Sequence, residues 1–308
     1  MSKTSDQLLA GVKRRIVVPS SQSLMSDSDF FSLADDIISS RVVPLILELR
    51  QDYFVTIATE TLSATDTYSI PERAVGRALR DLKLDDGSGK RDLTLLASED
   101  AHFFDSSSGT PHSFYFKGDK IILVPTPSTS DLTLILNKWY NLKHSQLTAV
   151  SNAALVTSAT TTTVTVSSAP SGITTSTAVD FVQGISGNSI LAMDKTPTLI
   201  ASTTYTFTSG DIPTSLVAGD YLALAQKTPV LMIPDEAYSY TETLIARRML
   251  TLLGDFDGAQ RLAEDEREEE KHLRSILAPR VTGEATYIIN RRGLLRGRRQ
   301  QYYRRMTV

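Results

Sequence analysis

The stretch Thr160-Thr161-Thr162-Thr163-Val164-Thr165-Val166 decides how the chain divides. Seven consecutive β-branched residues are stiff at χ1 and suit a pleated strand far better than a helix. The bias spreads outward from there. Between Ser145 and Thr228, 30 of 84 residues are Ser or Thr and only six are charged. Val179–Val182, Ile190–Met193, Thr204–Thr208 and Tyr221–Ala225 are further strand candidates, separated by Gly, Pro and Asn. Their apolar residues, including Phe181, Leu191, Phe207 and Leu222, are enough for a core, so a folded β-module is preferred over a disordered spacer. The spacing predicts a small sandwich or barrel.

The flanks read differently. Upstream, Phe30, Ala34, Ile37, Ile38, Val42, Leu45 and Leu49 form a helical stripe behind Ser26 and Asp29, which are spaced as a capping box. Pro44 lies inside the stripe and should kink or split it near Val43. Residues 6–16 form a short amphipathic pattern. Strands are expected at Tyr53–Ile57, Ala78–Leu84, Leu93–Leu96, Ser113–Phe116, Ile121–Val124 and Leu132–Leu136, making a small antiparallel sheet. Downstream, Asp235 should cap a helix that Gly254 stops, and a second helix runs from Phe256 to Pro279. Helices before and after the β-module imply an insertion whose two ends lie close together. The expected fold is α+β: a helical bundle with a small antiparallel sheet (1–144 and 229–279), an inserted all-β domain (145–228) and an extended arm (280–308).

That arm is the strongest charge feature. It holds eight arginines, no lysine and one acid, Glu284, against a net charge of −3 for all 308 residues. Tyr302 and Tyr303 sit among Arg291, Arg292, Arg296, Arg298 and Arg299, as aromatic and Arg anchors do at interface hot spots. The same residues could grip nucleic acid, or could form a disordered tail. The acidic body argues against general nucleic-acid binding. On the helix before the arm, Glu264, Asp265, Glu266, Glu268, Glu269 and Glu270 gather beside Arg267 and Lys271. A solvated face suffices for a monomer; in an oligomer these acids could meet a neighbour's basic surface.

Motifs for chemistry are few. With zero cysteines, disulfides, thiolate catalysis and cysteine-bound metal are excluded. His102, His112, His144 and His272 fall in no metal-ligand spacing, and no nucleotide-binding or hydrolase motif occurs. Gly87-Ser88-Gly89-Lys90 reads as a hairpin turn, not a phosphate loop. No cofactor and no catalytic residue is expected. Neither a membrane span nor a signal peptide is expected either.

Three stretches carry a family resemblance: DSDFFSLADDIISSRVVPLILELRQDYFV (27–55), FYFKGDKIILVPTP (114–127) and KTPVLMIPDEAYSYTETLIARRML (227–250). With the polar helix and basic arm, their order resembles the head-to-tail adaptor (connector) proteins of tailed bacteriophages. The resemblance implies a non-enzymatic virion protein of the neck, made in the host cytoplasm and assembled as a dodecameric ring. Its partners would be the portal protein and the tail nozzle or tube proteins, with DNA only passing through the channel. It further implies that the arm docks on the portal, for which Arg291, Arg292, Arg296, Arg298, Arg299, Tyr302 and Tyr303 are the candidate contacts. Glu264, Asp265, Glu268, Glu269, Arg267 and Lys271 are the candidate inter-subunit residues. The alternative is a tail-associated module binding a glycan or tail fibre through the β-insert, which offers few aromatics: Phe181, Tyr205, Phe207 and Tyr221.

Overall fold

Pro44 leaves a clear mark on the backbone. In a computed structural model describing residues 3–16, 25–99, 108–185 and 189–277, the stripe of residues 27–49 is a helix interrupted by one wide turn. Helix α1 spans Ser5–Arg15, and α2 spans Asp27–Ile37. Ile38–Val42 is π-helical, with the Val43 N–H donating to the Ile38 carbonyl, and α3 resumes over Val43–Leu49. Proline has no N–H for the Ser40 carbonyl, and its ring would crowd that carbonyl in an α-helix. The π-turn moves the carbonyl aside and keeps the chain helical. At the start of α2 the Ser26 hydroxyl accepts the Asp29 N–H at 3.2 Å.

Two more helices follow the β-rich region. The expected cap at Asp235 is corrected: Asp235–Ala237 is a 3-10 turn, and α4 (Tyr238–Leu253) begins after Ala237 without a side-chain cap. Gly254, at φ 82°, ends α4 in the left-handed conformation that costs glycine least. Helix α5 is Phe256–Leu277. The helices share one apolar core, including Leu8, Val12, Phe30, Ile38, Ile46, Leu244, Ile245, Leu273 and Leu277.

The single small antiparallel sheet expected between the helices is two four-stranded sheets. One runs in the order Val55–Thr61, Ile135–Leu142, Ala74–Asp85, Lys90–Asp92. The other runs Thr67–Ser69, Lys120–Val124, Ser113–Lys117, Thr94–Leu95, and its last pair is parallel. Leu82, Leu84, Leu136 and Tyr140 from the first share a core with Tyr68, Phe114, Ile121 and Leu123 from the second. The strand expected at Leu132–Leu136 instead begins at Ile135 and continues to Leu142. Buried Asn137 and Lys138 disguise it: Lys138 Nζ pairs with Glu60 and donates to the Ser69 carbonyl at 2.9 Å. Lys83–Asp85 pair with Lys90–Asp92, so Gly87-Ser88-Gly89 is a hairpin turn.

The Ser/Thr-rich region forms one seven-stranded sheet in the order Ile190–Lys195, Val179–Val182, Tyr221–Leu224, Ala154–Ala159, Thr163–Val166, Thr204–Thr206, Leu199–Ala201. Ala154–Ala159 carries a register shift between Val156 and Ser158 and belongs to both halves of the sheet. Phe181 and Leu222 on one half pack with Val164 and Tyr205 on the other. At the root, Gln146 and Leu147 pair in parallel with Lys227 and Thr228. No helix among the described residues is long and apolar enough to cross a membrane.

Candidate functional site

Helix α5 carries charge on nearly every turn, and its environment separates those charges into two sets. Ala259, Glu266, Leu273 and Leu277 are its buried residues. Their spacing turns one line of the helix toward the core. Glu266 therefore enters a largely apolar seam and must be paired. One carboxylate oxygen takes Arg41 Nη1 of the π-turn at 3.3 Å, and the other takes Arg247 Nη1 of α4.

Two further ion-pair clusters extend the seam. Arg15 of α1 donates to Glu242 at 3.1 Å, Thr243 Oγ1 at 2.7 Å, Ser239 Oγ at 2.7 Å and Glu269 at 3.4 Å. Glu242 also holds Lys3. Farther along α5, Arg274 binds Glu270 at 2.9 Å and Glu48 at 3.0 Å. These bonds raise the Arg274 pKa, Glu48 acting first and Glu270 second. Burial pushes the Tyr240 hydroxyl up to about 12, reinforced by Glu270 and Glu266.

Of the sequence-derived inter-subunit residues, Glu269 is thus engaged within the chain. Glu264, Asp265, Arg267, Glu268 and Lys271 are exposed and make no ion pair among the described residues. Arg261 and Asp265, one helical turn apart, form no ion pair with each other. The other proposed contact residues, Arg291, Arg292, Arg296, Arg298, Arg299, Tyr302 and Tyr303, lie outside the described residues.

Two features were missed from sequence. The first is an arginine-rich cleft of about 430 Å³ between α2, the π-turn and α4, with Glu266 on its floor. Arg41, Arg247 and Arg248 line it, opposed by Asp36 and Glu266. Beyond its Glu266 bond neither the Arg41 nor the Arg247 guanidinium makes another hydrogen bond among the described residues, and that of exposed Arg248 makes none. The second is an apolar corner where α4 turns into α5: Leu252, Leu253 and Phe256 are 60%, 51% and 68% exposed. A run of arginines looks alike in sequence whether its charges are spent or free, which is why the cleft was not legible.

Two polar clusters join the β-insert to the rest of the unit. Arg73 is buried and forks onto Asp180 at 2.7 and 2.9 Å, and also meets Asp194 at 2.6 Å. Asp180, fully buried, additionally accepts the N–H groups of Asp194 and Gln226, each at 2.9 Å. Burial opposes the Arg73 charge, but the two aspartates outweigh it and raise its pKa. At the insert's root Asp35 of α2 accepts the Leu147 N–H at 2.9 and 3.0 Å, with His144 3.9 Å away. Burial, with help from Asp36, raises Asp35 to about 7 despite the Leu147 bond, and burial lowers His144 to about 4.

In the insert, Phe181, Tyr205 and Phe207 are buried in the core, so of its aromatics only Tyr221 is partly exposed. No three His, Asp or Glu side chains among the described residues are placed to share a metal ion. The sequence matches no family model, and no curated protein matches it.

Proposed function

We propose that this chain is a ring-forming structural subunit of a tailed-phage neck, joining portal to tail with a channel for DNA between them. The observation that carries the reading is the division of charge on α5. Its inward acids are consumed by the chain's own arginines, while Glu264, Asp265, Arg267, Glu268 and Lys271 make no ion pair among the described residues, and Leu252, Leu253 and Phe256 are exposed at the corner where α5 begins. Exposed apolar side chains and unspent charge on one helical hairpin suit a protein–protein contact better than a solvated helix. Packing of the helices by their own ion pairs gives a subunit firm enough to present such a face. The resemblance of residues 27–55, 114–127 and 227–250 to head-to-tail adaptors supplies the setting.

In this reading the arginine segment from Arg280 onward docks on the portal. The linked copies of a ring make weak single contacts strong through effective concentration. The β-insert projects from the ring toward tail or tail-fibre proteins. Rotational symmetry and mass should be measured for the purified chain, alone and with the portal protein. A monomer that assembles into a ring on the portal is expected; a chain that stays monomeric beside the portal would sink the proposal. Removing residues 279–308 should abolish portal binding, and undiminished binding would take the arm out of the mechanism.

A further inference from the structure

We infer that the arginine cleft between α2 and α4 receives the outward face of α5 from a second copy of this chain, in a head-to-tail contact. The inference deepens the ring reading above and rests on it for its biological setting.

The receiving surface is preorganised. Glu266 fixes Arg41 and Arg247 from below, one carboxylate oxygen to each. A guanidinium carries five N–H donors, so each keeps most of its fork for an incoming carboxylate. The Arg248 guanidinium, on the same wall, makes no hydrogen bond among the described residues. Three arginines face two acids, Asp36 and Glu266, which leaves the cleft positive. The π-turn contributes by placing Ser40 and Arg41 on the wall opposite α4.

The incoming surface lies on the far side of the same hairpin. At about 100° per residue, Glu264 and Glu268 sit roughly half a turn around α5 from Glu266, stacked one above the other. With Asp265 they form an acidic patch at the centre of a face that exposed Arg261 and Lys271 flank, and the three acids make no ion pair among the described residues. Cleft and patch therefore face opposite ways on one subunit, and a two-fold contact cannot join them. Each copy must offer its patch to one neighbour and its cleft to the other, which is a heterologous interface of the kind that closes into rings. Leu252 and Leu253 follow Thr251 of the cleft wall directly and would dry the rim of the contact.

The absence of cysteine from the sequence makes the test direct. Arg248→Cys and Glu268→Cys are both surface changes and should leave the melting temperature unaltered. Each full-length variant, and the doubly substituted chain, is assembled with the portal protein and treated with a short bis-maleimide. The double variant should give a ladder of linked multimers, and a mixture of the single variants should give dimers only. Either single variant linking efficiently to itself would mean a two-fold contact and overturn the inference. A symmetric ring that yields no ladder would overturn it while leaving the adaptor reading intact; a ladder without portal binding would do the reverse. No assembly and no ladder would overturn both. In a second arm, Arg248→Glu should weaken self-association by on the order of tenfold, and Glu268→Arg on the same chain should restore it. If Arg248→Glu leaves association unchanged but abolishes binding to short duplex DNA at physiological salt, the cleft belongs to nucleic acid instead.

Discussion

Gly11 shows how one residue is fixed by a partner far along the chain. It faces Glu242 across the α1–α4 contact, and a Cβ there would collide with the Glu242 carboxylate. In an open helix, alanine is favoured over glycine by about 1 kcal/mol. Here the carboxylate is held by Lys3 and Arg15 and cannot easily swing away. Gly11→Ala is expected to destabilise by ~1–3 kcal/mol, measured by denaturant titration. A stabilising substitution would show the carboxylate to be free. Asp35 and His144 form the other residue-scale device. Folded Asp35 keeps its proton to about 7 while the unfolded acid loses it near 3.8, so its contribution to stability falls as pH rises through that window. His144 acts oppositely: the unfolded ring protonates below 6.5 and the folded ring only near 4, so its contribution is lost as pH falls between them. The two slopes oppose each other, leaving a small net decline toward pH 7. His144→Gln should expose the decline across the whole window, and Asp35→Asn should convert it into a rise. Unfolding midpoints across that range check this, and three superimposable profiles would disprove it.

At the scale of elements, α5 is held by charge as much as by apolar packing. Glu266 ties it to the π-turn and to α4, and Glu269 ties it to Arg15 of α1. Because Arg41 and Arg247 are partly solvated, Glu266→Ala is expected to cost only ~1–2 kcal/mol. Its sharper signature is faster amide exchange in α5 than in α4. Equal exchange in both would mean that Leu273 and Leu277 hold the helix alone. The helices themselves were legible from their 3.6-residue stripes, and Pro44 was legible as a disturbance. Its resolution as a π-turn depended on Ile38, Val42, Val43 and Ile46 all needing the same core, which a break would have pulled apart.

Over the whole molecule, the β-insert is anchored by Arg73. Removing the guanidinium leaves Asp180 buried without its partner, and Arg73→Ala is expected to cost ~3–5 kcal/mol. Exchange should rise first at residues 179–182 and 221–226. Replacing both Arg73 and Asp180 by leucine should cost less than the single change, since no charge is then stranded. A double variant as unstable as the sum of the two singles would argue against that coupling. None of this network was visible beforehand, because Arg73, Asp180 and Asp194 are distant in sequence and carry no periodic pattern. By itself the sequence determined the mixed α+β composition, the helical stripes, the β-branched module between them and the hairpin at Gly87-Ser88-Gly89. Those are local properties, set by side-chain period, χ1 stiffness and turn chemistry. Only the tertiary structure decided that the expected single sheet is two sheets around one core. It also decided which acids of α5 are spent on Arg15, Arg41 and Arg247, and where a cleft with unused arginine donors opens. The physical reason is that pairing and burial are relations between residues far apart in the chain, and a charge carries no local mark of whether it will find its partner inside the fold or beyond it.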